Sequence, residues 1–355
     1  MPPPIPEAAR RLRLESIPST TELQNQDVVE AMEVNGFAGL HVCATLEKKD
    51  KRKLGGKELG ANQDSVILDP ETGLVGVSDG LGGEGQGDKA SEEASLSFPS
   101  AFIAAEHRLK KASIADLQKR LVDQQMRRMS NRGKEKQITT MVEQMLVSDP
   151  TMARKAAALL ESFRVINESV KETAGKATAT VGFVHQLPNG DRYAVVASVG
   201  DSTAYKRRKN GEMLAMNEED SLLSTLLGSG MLKPERLAQM KNDENETVEI
   251  AGKPMTYKNL KRQMVAALGS NTFEPSLVVR KLEPGDSLIF ATDGMVDKFE
   301  DPTTEETDLN AVAITYDTGK TPRERLDALR KEAKKRVTYK DDDDIGLVSV
   351  EALAA

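Results

Sequence analysis

Aspartates stand at the ends of two short apolar runs that lie far apart in this chain. Asp79-Gly80 follows the run 73–78, and Asp293-Gly294 follows the run 287–292. An Asp-Gly pair after a strand is a common turn signal, and for either pair alone a turn is the favoured interpretation. Two strand ends that both present a carboxylate favour a fold that brings them together around a cation.

Further carboxylates stand at the starts or ends of other β-like runs, or one turn beyond them. They are Asp64, Asp201, Asp297 and Asp343. Bringing these acids together costs free energy, because like charges repel and lose hydration. Cations between them would offset that cost, and ligands made of oxygen alone favour Mg²⁺ or Mn²⁺ over zinc. Two such ions about 3.5–4 Å apart can bridge a water, lower its pKa and hold it in line for attack on phosphorus.

Small residues fit this interpretation, whereas the histidines do not. Gly80 would let its carbonyl approach an ion, because no Cβ stands in the way. The three histidines share no metal-ligand spacing and are interpreted as ordinary core or surface residues; they are His41, His107 and His185.

The order of periodic segments predicts an α+β fold. Strands are predicted at 40–46, 64–68, 73–78, 177–184, 192–199, 277–282, 287–292 and 345–350. Helical periodicity fills 89–172, and further helices are predicted at 221–227 and 322–335. Strands and helices come in blocks rather than in alternation, which favours α+β over a parallel α/β fold. Residues 1–36 are predicted to be an N-terminal extension with a short helix around 7–14.

Composition narrows the classes of partner. The chain is 38% hydrophobic and 30% charged, as in globular proteins, and its net charge of −7 disfavours nucleic acid, which needs clustered cations. The single cysteine, Cys43, excludes an intrachain disulfide and is predicted to lie in the core. No apolar run reaches the roughly 18 residues of a membrane span, and the N-terminus lacks a secretory pattern. We expect a cytoplasmic monomer without a membrane or nucleic-acid partner.

A series of short motifs extends over about residues 37–352. The motifs are Asn62-Gln63-Asp64-Ser65, Val77-Ser78-Asp79-Gly80-Leu81-Gly82-Gly83, Thr178-Ala179-Thr180, Ser198-Val199-Gly200-Asp201-Ser202-Thr203-Ala204-Tyr205, Ala267-Leu268-Gly269, the block 284–297, and Asp343-Asp344-Ile345. In this order they resemble the metal-dependent protein serine/threonine phosphatases of the PPM, or phosphatase 2C, type. No single motif is decisive, but the ordered set is highly specific.

The resemblance implies a four-layer αββα sandwich, with two antiparallel sheets face to face and helices outside. The phosphatase domain would span 37–353, with a longer helical segment than usual at about 97–172. The implied substrate is a protein carrying phosphoserine or phosphothreonine. No protein nucleophile would be needed, because a water bridged by two Mg²⁺ or Mn²⁺ ions would attack the phosphorus.

The resemblance also implies a role for each acidic residue. Asp79 would bridge two ions, with the Gly80 carbonyl on the second, and Asp293 and Asp343 would complete the first. Asp64 would bind directly or through water. A third, weaker ion would be held by Asp201 and Asp297. The implied catalytic set is Asp64, Asp79, Asp293 and Asp343.

The chain departs from the family pattern near the predicted site. Gln63 stands where many members carry Glu, and Asp344 stands in place of the usual Asn. Leu59 occupies the place of the phosphate-binding Arg, for which Lys57 or Arg52 is a candidate substitute. Thr203 replaces the usual Arg, and Leu81 stands where some members carry His, so that leaving-group protonation would fall to metal-bound water.

These departures leave an alternative open, namely an inactive pseudophosphatase that acts as a binding module. A two-metal nuclease is disfavoured, since the acidic charge and few aromatics offer no track for a nucleic acid strand.

Three further segments carry weaker predictions. Residues 109–150 are interpreted as an inserted helical element, whose basic stretch 119–136 is better explained by a solvated surface than by docking. Residues 212–262 are predicted to form a flap beside the cleft, with Asp220 where the family has His. The string 339–344 resembles an epitope tag, but native sequence is favoured because the credible core strand 345–350 follows it.

Overall fold

A computed structural model describes residues 28–37, 40–47, 62–81, 86–128, 149–243, 245–271, 273–300, 307–336 and 343–352. The strands are β1 (Val28–Phe37), β2 (Leu40–Glu47), β3 (Asp64–Asp69), β4 (Leu74–Asp79), β5 (Ala179–Gln186), β6 (Arg192–Val199), β7 (Thr203–Arg207), β8 (Met213–Ala215), β9 (Thr247–Ile250), β10 (Lys253–Thr256), β11 (Ser276–Leu282), β12 (Ser287–Ala291) and β13 (Ile345–Ala352). The helices are α1 (Gly87–Leu109), α2 (Ile114–Arg128), α3 (Pro150–Glu172), α4 (Leu222–Gly228), α5 (Pro234–Asn242), α6 (Tyr257–Arg262), α7 (Asp293–Val296), α8 (Leu309–Asp317) and α9 (Pro322–Arg336).

Two antiparallel sheets form the centre of the molecule. One has six strands in the order β1-β2-β13-β12-β7-β8, and the other has five in the order β11-β6-β5-β4-β3. Alternation along the strands explains why the sheets pack face to face. In β3, Val66 and Leu68 belong to the core between the sheets, whereas Ile67 belongs to the core beneath the helices.

Helices cover both outer faces. Helices α1, α2 and α3 pack on the five-stranded sheet, where Phe98 and Phe163 meet edge to face at 4.8 Å between ring centroids. Helices α8 and α9 pack on the other sheet around Tyr316 and Leu326. The four-layer αββα sandwich and the α+β class are thus confirmed. No described helix combines the length and the apolar character needed to cross a membrane.

The predicted strands are all present with boundaries that differ by a residue or two. The Asn-Gly turn between β5 and β6 is also present, with Gly190 at a φ of 91°. Cys43 is fully buried, as predicted. Asp149 caps α3, because its side chain accepts a hydrogen bond from the Thr151 N–H at 2.7 Å.

Several elements differ from the predictions. Strand β1 begins at Val28, inside the segment interpreted as an extension, and pairs with β2. The short strands β7 to β10 carry weak period-two patterns and were not predicted. The helical region is divided into α1, α2 and α3. The apolar stripe at 138–146, the proposed helix at 7–14 and most of the string 339–344 lie outside the described residues, and the domain boundaries stay predictions.

Candidate metal centre

Three of the predicted acids meet at one end of the sandwich. One carboxylate oxygen from each of Asp79, Asp201 and Asp293 lies within 4.8 Å of the others. Asp79 ends β4, Asp201 lies in the turn between β6 and β7, and Asp293 begins α7 directly after β12. The two sheets therefore deliver carboxylates from opposite faces to a single point.

Asp64 joins this cluster through strand pairing. It lies opposite Asp79 in the β3–β4 register. Asp64 is buried, and its Oδ2 accepts a hydrogen bond from the Thr292 hydroxyl at 2.6 Å. The same hydroxyl oxygen accepts a hydrogen bond from the Gly346 N–H at 2.9 Å. Thr292 thereby ties β3 to the start of β13.

The turn that carries Asp201 is fixed by two neighbours. Gly200 has a φ of 98°, and a Cβ there would lie 2.6 Å from Thr178, so both conformation and space require glycine. Its N–H donates to Asp220 Oδ2 at 2.9 Å. Asp220, which occupies the family's His position, thus holds the turn in place.

Gly80 is required by packing. A Cβ on Gly80 would lie 2.0 Å from the carbonyl oxygen of Gly87, at the start of α1. The Gly80 N–H donates to the Gln63 carbonyl at 2.8 Å, which links β4 to the segment before Asp64. A role for the Gly80 carbonyl as an ion ligand stays a prediction.

Asp343 and Asp344 approach the cluster from the segment before β13. Asp344 is 1% exposed, and its Oδ2 accepts the Gln63 N–H at 2.8 Å. The Asp344 N–H in turn donates to Asp343 Oδ1 at 2.9 Å. Gly294 packs so closely here that a Cβ would lie 1.7 Å from the Asp344 carbonyl oxygen.

The acids raise one another's pKa values. Loss of hydration is the largest cause for each of them, followed by repulsion from neighbouring carboxylates. The pKa of Asp293 rises to about 7, with repulsion from Asp297 and Asp343, while a hydrogen bond with Asp79 opposes the rise. The pKa values of Asp64, Asp79 and Asp201 also lie well above the usual range. Without cations the cluster retains protons that free carboxylates would lose.

A cleft of about 190 Å³ opens beside the cluster. It is lined by Asp201, Glu219, Lys261, Asp293, Val296, Asp297 and Glu300. Glu219 and Lys261 come from the segment 212–262, and that segment's role as a flap stays a prediction. Lys261 forms an ion pair with Glu300 and lowers the pKa of Glu219, which burial raises. One lysine cannot balance so many carboxylates.

The donor set fits hard divalent cations. Every contributing side chain offers oxygen, as Mg²⁺ and Mn²⁺ prefer. Within the described residues, the buried Asp201 Oδ1 has no hydrogen-bond partner, although buried polar atoms normally have one. A cation would satisfy this atom and relieve the repulsion recorded in the raised pKa values.

The structure brings together most of the residues predicted from sequence. Asp79, Asp201 and Asp293 surround one point, and Asp64 lies opposite Asp79 in the β3–β4 register. Asp343 and Asp297 act on this cluster electrostatically. Lys57 and Leu59 lie outside the described residues, so the proposed phosphate contact stays a prediction. Sequence reasoning missed Thr292, Glu219 and Lys261 as site residues and noted Asp344 only as a departure. The acidic stretch 217–220 within the predicted flap was an available signal for Glu219.

Comparison with family models and with curated proteins gave one partial match. Residues 253–352 match the model of the family described as Stage II sporulation protein E (SpoIIE). Comparison with curated proteins gave no match.

Solved structures resemble the whole described fold. The serine/threonine phosphatase PstP/Ppp from Mycobacterium tuberculosis is 18% identical, with a TM-score of 0.52 over 89% of this chain and 99% of that one. The PPM Ser-Thr phosphatase MsPP from Mycobacterium smegmatis is 17% identical, with a TM-score of 0.53 over 88% and 98%. The catalytic domain of PstP in complex with two manganese ions is 18% identical, with a TM-score of 0.50 over 89% and 99%. The chain has the PPM phosphatase fold.

Proposed function

We propose that this chain is a PPM-type, Mg²⁺- or Mn²⁺-dependent protein phosphatase that hydrolyses phosphoserine and phosphothreonine. The observation that carries the proposal is the convergence of Asp79, Asp201 and Asp293 at the ends of strands from both sheets. The PPM fold supports it, because the same family's PstP was crystallised with two manganese ions. We further propose a phosphorylated protein as the partner and the cytoplasm as the location.

The chain's own residues would bind and orient the reactants. Asp64, Asp79, Asp293 and Asp343 would hold two divalent ions, and Asp201 and Asp297 a third. When bound, such ions supply Lewis-acid stabilisation of phosphoryl oxygens and a water of lowered pKa. The carboxylates must lose their protons to bind metal, since a protonated acid is a poor ligand. Thr292 and Asp220 would keep Asp64 and the Asp201 turn in position.

The flap residues that line the cleft would shape the approach of the phosphoprotein. Lys261 is the cation that lines the cleft within the described residues. Its ammonium would attract the anionic phosphate into a site that is otherwise negatively charged. Glu300 holds that ammonium at the cleft wall.

The test is hydrolysis of a phosphothreonine peptide and of a small aryl phosphate with Mn²⁺, with Mg²⁺ and with EDTA. We expect metal-dependent turnover that EDTA abolishes. Asp293→Ala should lower kcat by about a thousandfold or more, because it removes several kcal/mol of transition-state stabilisation. The matched control is Asp191→Ala, an exposed acid in the β5–β6 turn at the far end of the sheet. Full activity of Asp293→Ala would refute the proposal.

A second candidate is a pseudophosphatase that binds partners on the same fold. Gln63 and Leu59 favour it, because each removes a charged group that the family usually carries near the site. It predicts Mn²⁺ binding without hydrolysis of any phosphopeptide. Turnover that depends on Mn²⁺ and is lost in Asp293→Ala would exclude this candidate.

A further inference from the structure

Asp344 is a buried carboxylate in an already acidic place. It is 1% exposed, and after burial its charge contributes to the raised pKa of Asp64. Burying a charge beside like charges is costly unless a cation or hydrogen bonds compensate. The Asp344 Oδ2 accepts such a bond from the backbone N–H of Gln63, at 2.8 Å.

Gln63 stands on the other side of this contact. Its backbone holds Asp344, and its carbonyl accepts the Gly80 N–H at 2.8 Å. Its side-chain amide lies against Gly87, since a Cβ on Gly87 would be 2.8 Å from Gln63 Nε2. Gln63 thus connects Asp344 with the strand ends that carry Asp64 and Asp79. Where the two residues meet, Gln63 contributes a neutral amide side chain and Asp344 contributes the carboxyl group.

We propose that Asp344 is a positioning residue for the metal centre. Its carboxylate anchors the Gln63–Asp64 segment through the Gln63 N–H and adds a negative charge that strengthens divalent-ion binding beside Asp64. A carboxylate at position 63 could supply the same charge from the opposite side of the contact. The inference rests on the metal site of the proposed function, and it assigns Asp344 no contact with the substrate.

The experiment uses the full chain stripped of metal with EDTA. Calorimetric titration with Mn²⁺ gives the affinity, and urea unfolding without metal gives the stability. The variants are Asp344→Asn, the double variant Gln63→Glu/Asp344→Asn, and Asp191→Asn as an exposed control with the same chemical change. Asparagine keeps one oxygen that can accept the Gln63 N–H, so that Asp344→Asn removes the charge and replaces the second carboxylate oxygen with an NH2 donor.

We expect Asp344→Asn to weaken Mn²⁺ binding about tenfold or more, the effect usual for residues that support ligands. Without metal the same variant should unfold at a higher urea concentration, because repulsion of Asp64 is relieved. The double variant should regain most of the Mn²⁺ affinity, and Asp191→Asn should match the wild type. A purely structural role would lower the stability and would not respond to a charge placed at position 63.

The failure of this inference can be told apart from that of the proposed function. Unchanged Mn²⁺ affinity in Asp344→Asn, or a double variant that binds no better than Asp344→Asn, overturns the inference while wild-type turnover stands. A wild type that binds Mn²⁺ at least tenfold more tightly than Asp344→Asn but hydrolyses no phosphopeptide supports the inference and refutes the enzymatic proposal. A wild type that binds no Mn²⁺ overturns both.

Discussion

Thr292 connects two separate parts of the acidic cluster through a single hydroxyl. The hydroxyl donates to Asp64 and accepts from the Gly346 N–H, and the residue is fully buried. A buried donor or acceptor that loses its partner costs more than the bond itself contributes. The geometry of Asp64, a proposed metal ligand, therefore depends on an uncharged neighbour.

Thr292→Val should lower the free energy of unfolding by about 1–3 kcal/mol, because it leaves Asp64 Oδ2 and the Gly346 N–H unpaired. Urea unfolding of the metal-free protein measures this change. Thr292→Ser keeps the hydroxyl and is the matched control, expected to retain most of the stability. A valine variant as stable as the wild type, or a serine variant no more stable than the valine variant, would contradict the role assigned to the hydroxyl.

Single residues also mark the limit of sequence reasoning. Asp64, Asp79 and Asp293 could be predicted because strand ends carry a recognisable local pattern. Thr292 could not, because its importance arises from the pairing of β3 with β4 and from the approach of Gly346, which are contacts between distant segments. Asp344 was visible as a departure, but its burial and its bond to Gln63 depend on the folded arrangement.

Helix α7 lies so close to the residues at the start of β13 that only glycine fits at position 294. Alanine would place a Cβ 1.7 Å from the Asp344 carbonyl oxygen, so one of the two segments must move. Overpacking of this kind typically costs about 1–3 kcal/mol. We expect Gly294→Ala to lose about that much stability and to weaken Mn²⁺ binding, since Asp293 and Asp343 flank the contact.

Urea unfolding and Mn²⁺ titration measure these effects. Gly228→Ala is the matched control, because a Cβ at that helical position meets nothing within 4 Å. It should leave Mn²⁺ affinity unchanged and add up to about 1 kcal/mol of stability through helix propensity. Equal behaviour of the two alanine variants would show that α7 tolerates displacement.

Helix α2 lies in the segment predicted as an insertion, yet it packs into the helical layer of the sandwich. Leu117 and Leu121 are buried in the core that α1 and α3 form on the five-stranded sheet. We expect Leu121→Ala to cost about 2–5 kcal/mol, as large-to-small core substitutions do. The folded variant should bind Mn²⁺ as the wild type does, because this core lies on the outer face of the sheet.

Val165→Ala, at a side chain that is 46% exposed, is the control for this helical layer. Its stability should stay within about 0.5 kcal/mol of the wild type. Thermal or urea unfolding separates the two variants. The α+β order of the main strands and helices was predictable from periodicity, and the sandwich was implied by the family resemblance. The break between α1 and α2 was not predicted, because helical periodicity continues across it.

The two sheets converge on charges that repel one another. The sandwich has a well-packed core between its sheets, while its acidic end gathers carboxylates whose pKa values are raised by lost hydration and mutual repulsion. A fold of this kind gives up stability at one end to hold a strong cation site. Its stability should therefore depend on pH and metal together.

The direction in which stability changes with pH follows from Asp293, whose pKa is about 7 in the folded protein against a usual value of 3.8. Between those values the folded state binds more protons than the unfolded state, so stability without metal falls as pH rises. The stability that the protonated Asp293 contributes is fully present below pH about 4 and is lost as pH rises past about 7. The raised pKa values of Asp64, Asp79 and Asp201 act in the same direction.

Urea unfolding with EDTA at pH 5, 6, 7 and 8 tests this dependence. Carboxylates distant from the metal centre contribute stability that rises with pH, which opposes the fall caused by Asp293. The comparison is therefore made with Asp293→Asn, which should show a weaker fall in stability with rising pH than the wild type. Saturating Mn²⁺ should remove the fall and add stability that grows with ion concentration, because the ion binds only the folded state. Wild-type and Asp293→Asn curves that run parallel with EDTA would mean that the Asp293 carboxylate is already ionised in the metal-free protein, and that the cluster holds its charges apart without a cation.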